Sequence, residues 1–268
     1  MYRSIWLCPR VPRPPRRRRL RLYRDSGPSA MTSPPGAWTR GLFPFRTWAR
    51  LQKELLYSSP ELLTHGDAQG DLALRQALAG YLEEYRGVRC GAHQIVVGAG
   101  LEYLLGLLAP LLPGPAAVEN PGYPRAKQVL ENNGVACCCL PVDEDGLSIR
   151  ALSDSGAAVC YVTPSHQFPT GVTMPAGRRA ELLHWAARCP GRRYIIEDDY
   201  DSAVPLRTPA LLPSLQGMAG ADGPVVYLLY LLPQPRAQHP HRLHGAAGAA
   251  SARMAREIRP LLRHGEPF

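Results

Sequence analysis

Between Asp71 and Val88 the apolar residues Leu72, Leu74, Ala77, Leu78, Tyr81 and Leu82 recur at close to helical period, and the pattern stops at Gly87. That spacing predicts a helix with one apolar face, closed by a glycine. The second half of the preceding "GLFPFRTWARLQKELLYS" reads as another helix. Next, "QIVVGAG" is a short β-branched strand running into glycines, and "LEYLLGLLAPLL" is the helix that follows them. "AAVEN", "VACCCLPV", "AAVCYVTP" and "RYIIEDD" are apolar runs of strand length, with helical stretches such as "GRRAELLHWAARC" between some of them. Strand alternating with helix predicts an α/β fold with a mainly parallel sheet sandwiched by helices. The chain contains no internal repeat.

From about Tyr230 the character changes. "LLPQPRAQHPHRLHGAAGAASARMAREIRPLLRHGEPF" carries half of the eight histidines and little apolar periodicity. It does not read as a continuation of the sheet. Three readings are open: a disordered tail, a helix-ended extension, or the product of a reading-frame change. The expected division is a basic, proline-rich segment over 1–40, an α/β domain over 41–232 and an aberrant tail over 233–268, loosely docked or poorly ordered.

Charge changes the picture only at the start. The formal net charge is +9, but residues 1–24 hold nine arginines and no acid, which leaves 22 basic against 22 acidic residues in the remainder. The basicity belongs to "PRVPRPPRRRRLRLYRD", whose prolines and like charges favour an extended, solvated segment, with an acidic surface such as nucleic acid as the other reading. No run of about 18 apolar residues is present, so no membrane span is expected. The seven cysteines show no Cys-x-x-Cys spacing, and Cys137 to Cys139 are expected to alternate between strand faces as free thiols in a reducing compartment, without a metal.

The chemistry gathers at strand ends. "RRYIIEDDYDSAV" drives an apolar strand into four acids and a tyrosine, and several carboxylates at one strand end need cations, a metal or solvent. In open α/β sheets that edge is also where ligands bind. "VVGAGLEYL" puts Gly98 and Gly100 before a helix, where backbone amides can receive a phosphate; a tight connection is the simpler reading. "VENPGYPRAKQ" offers Tyr123 to stack on a flat ring and Arg125 to clamp a carboxylate. "VTPSHQFPTGVTM" adds Ser165, His166 and Gln167, available to a ligand or simply to solvent.

Taken in order, "ENPGYP", "YVTPSHQFPTGVTM" and "IIEDDYDS" resemble the aminotransferase-like domain of MocR/PdxR regulators in the GntR superfamily, a fold-type I pyridoxal phosphate domain, over roughly Tyr23 to Tyr227. The resemblance implies that Asp198 pairs with the pyridine nitrogen of pyridoxal 5'-phosphate and keeps it protonated. It implies that Tyr200 hydrogen-bonds the ring oxygen, that Tyr123 stacks on the ring, and that Arg125 meets a substrate or effector carboxylate. Gly100, Leu101 and Glu102 match the phosphate-binding turn, with Leu101 where the family has Thr or Ser, and His166 is placed among the cofactor contacts. His65 stands where a tyrosine reaches a phosphate across a dimer interface. The implied setting is cytoplasmic and homodimeric, with an amino acid or vitamin-like effector and DNA bound only through a winged-helix domain that would precede the arginine-rich linker.

One part is missing. The family's Schiff-base lysine follows the next strand, yet after "GPVVYL" the chain reads "LYLLPQPRAQHPHRLHG", and its two lysines are Lys53 and Lys127. No catalytic residue is therefore assigned, and pyridoxal phosphate is expected to bind noncovalently at best. The expected function is a transaminase-like regulator domain that has lost its chemistry; the alternative is a non-catalytic ligand-binding or interaction module.

Overall fold

In the computed structural model, which describes residues 45–64, 66–189, 192–200, 212–229 and the backbone of 247–249, the chain opens with α1 (Phe45–Ser58) and α2 (Leu72–Arg86). The basic segment 1–40, His65 and the C-terminal segment other than 247–249 lie outside the described residues. Helix α2 stops at Gly87 as its sequence predicts, and its start is fixed by a cap. The Asp71 carboxylate accepts from the Leu74 amide at 3.0 Å, and Gly87, at φ 63°, takes the left-handed closing position.

Strand β1 (Ile95–Val97) leads to α3 (Leu101–Leu108), and β2 (Ala116–Asn120) to α4 (Pro124–Asn132). β3 (Cys137–Asp143) and β4 (Gly146–Leu147) form a hairpin before α5 (Ile149–Asp154), and β5 (Val159–Val162) precedes α6 (Ala176–Ala187). β6 (Tyr194–Asp199), α7 (Leu215–Ala219), β7 (Val225–Leu229) and β8 (Ala247–Ala249) complete the order. The sheet runs β1-β8-β7-β6-β5-β2-β3-β4. β2, β3, β5, β6 and β7 pair in parallel, while β4 and β8 are antiparallel to their neighbours. Because β8 reverses direction between β1 and β7, β1 points the same way as the parallel set. The carboxyl ends of β1, β2, β5, β6 and β7 therefore share one edge.

Alternation sorts the core into two layers. Val118, Val159, Tyr161, Ile196 and Leu228 face one layer with α3 and α4, whereas Ala117, Cys160, Ile195 and Val225 face the other with α5, α6 and α7. Cys137 packs in the first and Cys138 in the second, the expected alternation. Helix α2 lies over Tyr227 and Leu229 at the end of β7.

Two features differ from the sequence reading. Residues 247–249 join the sheet between β1 and β7, although the segment after Tyr230 shows no strand pattern. Ala-Gly-Ala carries no β-propensity signal; two partner strands, through the backbone, define this strand. Helix α4 begins directly after Tyr123, in a stretch that reads as a Pro-Gly turn, because Pro124 occupies the first helical position where its missing N–H costs nothing.

Candidate functional site

Three consecutive acids at the end of β6 are all buried, and the pleat separates them. Glu197 and Asp199 share the face of Ile195, towards α2, α6 and α7; Asp198 shares the face of Ile196, towards α3 and α4. Each has its own partners. Glu197 accepts from the Leu215 and Gln216 amides, both at 3.0 Å, and so caps the start of α7. Burial nevertheless pushes its carboxyl up to about 7, helped by Asp199 nearby.

Asp199 meets Arg86 from the last turn of α2, Nε at 2.8 Å and the Nη2 nitrogen at 2.6 Å. It also accepts from the Tyr227 hydroxyl on β7. Arg86 donates in addition to Ser165 Oγ at 2.7 Å, so one guanidinium joins α2, β6 and the loop after β5. Arg179 of α6 supports the same side, donating to the carbonyls of Met174, Pro213 and Pro164 at 2.8–2.9 Å. Here Asp199 has a cation and Glu197 has amides, the partners that buried carboxylates require.

Asp198 accepts from the hydroxyl of Tyr161 on β5. Tyr123, half-buried just beyond β2, is within electrostatic reach: burial first, then Glu102 and Asp198, raise its phenol pKa against the opposing pull of Arg125. Arg125 pairs with Glu102 at 3.3 Å, with both side chains largely exposed. The loop after β2, the start of α3 and the end of β6 thus meet on one side of the sheet edge.

At the start of α3, Gly100 adopts φ 113°, a conformation that strains other residues, and a Cβ there would meet open space. No side chain caps the helix. The first intrahelical bond is Leu104 N–H to Gly100 O, so the amides of Leu101, Glu102 and Tyr103 precede the helical ladder. Gly98 is needed for another reason: a Cβ there would come within 2.6 Å of the Tyr103 ring. The Leu101 side chain is buried in the core, so that residue offers only its backbone amide.

The loop after β5 departs from its sequence reading as solvated or ligand-facing. Ser165 and Gln167 are buried and turned inward, Ser165 to Arg86 and Gln167 to Glu119, and only His166 between them is partly exposed. Tyr200 follows directly on β6 and is partly exposed. Arg86, Glu119, Tyr161 and Tyr227 escape the sequence reading. Tyr161 and Tyr227 sit in apolar strand patterns, where a phenol reads as core, and Arg86 ends a helix as any solvated arginine does.

An uncapped helix start with an open glycine cradle, an aromatic ring and a buried carboxylate on one edge fit a phosphorylated, flat, cationic ring. The donor set is amides for phosphate, a phenol face for the ring and an anion for the ring nitrogen. Among the described residues no cluster of metal-ligating side chains is present, and no helix is long and apolar enough to cross a membrane.

No family model matches the chain. Curated relatives do. An uncharacterised HTH-type transcriptional regulator, YdeL, of Bacillus subtilis is 39% identical over 179 residues, 66% of this chain and 38% of that protein. The probable rhizopine catabolism regulatory protein MocR of Rhizobium meliloti is 35% identical over 205 residues, 75% of this chain and 41% of that one. The HTH-type pyridoxine biosynthesis transcriptional regulator PdxR of Corynebacterium glutamicum is 32% identical over 274 residues, 90% of this chain and 58% of that one. The chain thus spans about two fifths to three fifths of the length of these relatives. Among solved structures, an archaeal alanine:glyoxylate aminotransferase superposes with a TM-score of 0.72 at 24% identity, over 84% of this chain and 57% of that one. A Pyrococcus horikoshii kynurenine aminotransferase solved with PMP superposes at 0.68 and 20% identity, with the same coverage. These likenesses define the fold as that of the aminotransferases.

Proposed function

Since the homologues of this chain are MocR/PdxR-type HTH regulators and its fold is that of the aminotransferases, we propose that residues 41–232 are the aminotransferase-like ligand domain of a regulator of that type. In this reading the site takes pyridoxal 5'-phosphate, whose protonated ring acts as an electron sink when bound. The observation that carries it is Asp198, a buried carboxylate that accepts from Tyr161, on the same face as Tyr123 and the open amides of α3.

The chain's own residues divide the work. The amides of Leu101 and Glu102, with Gly100 leaving room, hold the phosphate at the helix start. Asp198 holds a proton on the ring nitrogen, and Tyr161 orients that carboxylate. Tyr123 covers one face of the ring, Tyr200 and His166 supply polar contacts, and Arg125 exchanges Glu102 for the carboxylate of an amino acid or vitamin-like effector.

Neither lysine is suited to bonding the aldehyde. Lys53 lies on α1, and Lys127 lies on the exposed face of α4 beside Glu131. The reading is therefore a binding domain without transaminase chemistry. Helix α1 buries none of its residues in this chain and exposes Phe45, Leu51, Leu55 and Leu56, a surface suited to a second copy in a homodimer. DNA contact would belong to a winged-helix domain elsewhere in the regulator.

The test is equilibrium binding of pyridoxamine 5'-phosphate, which lacks the aldehyde and reports noncovalent contacts alone. Saturable binding that weakens in Asp198→Asn is the expected result. Wild-type binding that is unsaturable, or that is indifferent to Asp198, sinks the proposal.

A further inference from the structure

Glu119, next to last in β2, is a buried carboxylate that the site as described above does not use. Its Oε2 accepts from the Thr163 amide at 3.2 Å, the Thr163 hydroxyl at 2.7 Å and the Gln167 side-chain amide at 3.3 Å. All three donors come from the loop after β5. Gln167 then reaches back: its Nε2 lies 2.8 Å from the carbonyl of Pro121, in the loop after β2, and 2.6 Å from that of Phe168. The Thr163 hydroxyl also accepts from the Phe168 amide at 3.1 Å, and Gln167 Oε1 accepts from the hydroxyl of Thr170 at 2.6 Å.

The two loops joined here each carry one ring. Tyr123 and Phe168 meet edge to face, with centroids 5.9 Å apart and planes at 89°. Phe168 is 40% exposed. An edge-on ring braces the face-on one without covering its other side.

We propose that Glu119 and Gln167 are positioning residues that lock the loop after β2 to the loop after β5, and thereby set the orientation of Tyr123 relative to Phe168. The ring that Tyr123 would then cover rests on the function proposed above; the lock itself does not. Because Gln167 donates both to Glu119 and to the Pro121 carbonyl, the two residues couple the loops, so loosening one loosens both.

Two measurements on the full chain separate the lock from that function. In hydrogen exchange without ligand, Glu119→Leu and Gln167→Leu are each expected to speed exchange in both 120–124 and 166–171, leaving β5 and β6 as protected as in wild type. Glu119→Gln, which keeps an accepting oxygen, should restore wild-type protection. With pyridoxamine 5'-phosphate as probe, Glu119→Leu should raise Kd by about 10-fold, the scale of one lost aromatic contact, and should add less than about 2-fold in a Tyr123→Ala background.

Exchange that rises in one loop alone, or throughout the sheet, overturns the lock. Full multiplicative losses in the Tyr123→Ala background overturn its action through Tyr123. Wild type that binds no probe while both loops still loosen together would refute the proposed cofactor and leave the lock standing.

Discussion

Asp198 and Asp199 are consecutive on β6, yet each accepts a hydrogen bond from its own tyrosine hydroxyl, Tyr161 on one face of the sheet and Tyr227 on the other. The pleat makes this possible, since neighbouring side chains of a strand point to opposite faces. The difference lies in the cation. Asp199 has Arg86 at 2.6 Å, whereas the partner proposed for Asp198 is a ligand. One acid anchors the fold, and its neighbour is the one proposed to meet the ligand.

That division predicts where one substitution acts. Asp198→Asn keeps the shape of the side chain and should change stability to urea by no more than about 1 kcal/mol. It should weaken pyridoxamine 5'-phosphate binding by about 10- to 100-fold, the scale of a charge-assisted hydrogen bond of roughly 1.5–3 kcal/mol. Parallel urea melts and probe titrations check both. A variant both less stable and unchanged in affinity would make Asp198 structural.

The two tyrosines should part in the same way. Tyr161→Phe and Tyr227→Phe each delete a donor to a buried carboxylate, at a cost of about 1–3 kcal/mol in stability. Only Tyr161→Phe should also lower probe affinity, by several-fold, because an unheld Asp198 has to be ordered on binding. Equal affinity losses from both would contradict the division between faces.

Arg86→Met should be among the most damaging single changes, because it leaves Asp199 buried without its cation. Truncating one member of a buried pair costs about 3–5 kcal/mol, while replacing both by apolar groups is often tolerated. The double variant Arg86→Met, Asp199→Leu should therefore recover part of the loss in equilibrium unfolding. Side-chain exposures of 1% and 0% place the pair in that regime rather than among screened surface bridges.

Much of this was legible in the sequence where one local signal sufficed. Helix α2 could be read because its period and its Gly87 stop agree, and β6 because its apolar run ends in acids. The common sheet edge followed from strand-helix alternation. What escaped depends on partners distant in sequence. Arg86 meets Asp199 113 residues later, and nothing around either residue points to the other. Gln167 reads as a loop residue, and its burial follows only once β2 and β5 are neighbours. The Ala247–Ala249 strand has no side-chain signature and is set by the two strands flanking it.

Borohydride trapping tests whether either lysine of this chain reaches the proposed site. After incubation with pyridoxal 5'-phosphate and reduction, no stoichiometric pyridoxyl adduct is expected at the sheet edge, since the chain's two lysines lie on α1 and α4. Peptide mapping by mass spectrometry checks this. A single saturating adduct on Lys127, suppressed by excess pyridoxamine 5'-phosphate, would show that this lysine enters the site.

Glu119 gives the protein a pH dependence whose sign can be worked out. Burial pushes its carboxyl from 4.5 up to about 7, against the hydrogen bonds of Thr163 and Gln167, which favour the charged form. A folded-state value above the unfolded one means that the native protein binds the proton more tightly. The associated stabilisation is then fully present below about pH 4.5 and is lost as pH rises through about 7. Glu119→Gln keeps the shape and an accepting oxygen but does not titrate, so its own cost is independent of pH. The stability of wild type relative to this variant should accordingly fall by about 3 kcal/mol in all between those limits, at about 1.4 kcal/mol per unit, and level off above. Glu197, also raised to about 7, acts in both proteins and cancels in the difference. Urea melts of the pair from about pH 5 to about pH 8 measure it. A difference that stays flat, or that moves towards wild type as pH rises, would mean that the donors from the β5 loop outweigh burial and keep Glu119 ionised throughout.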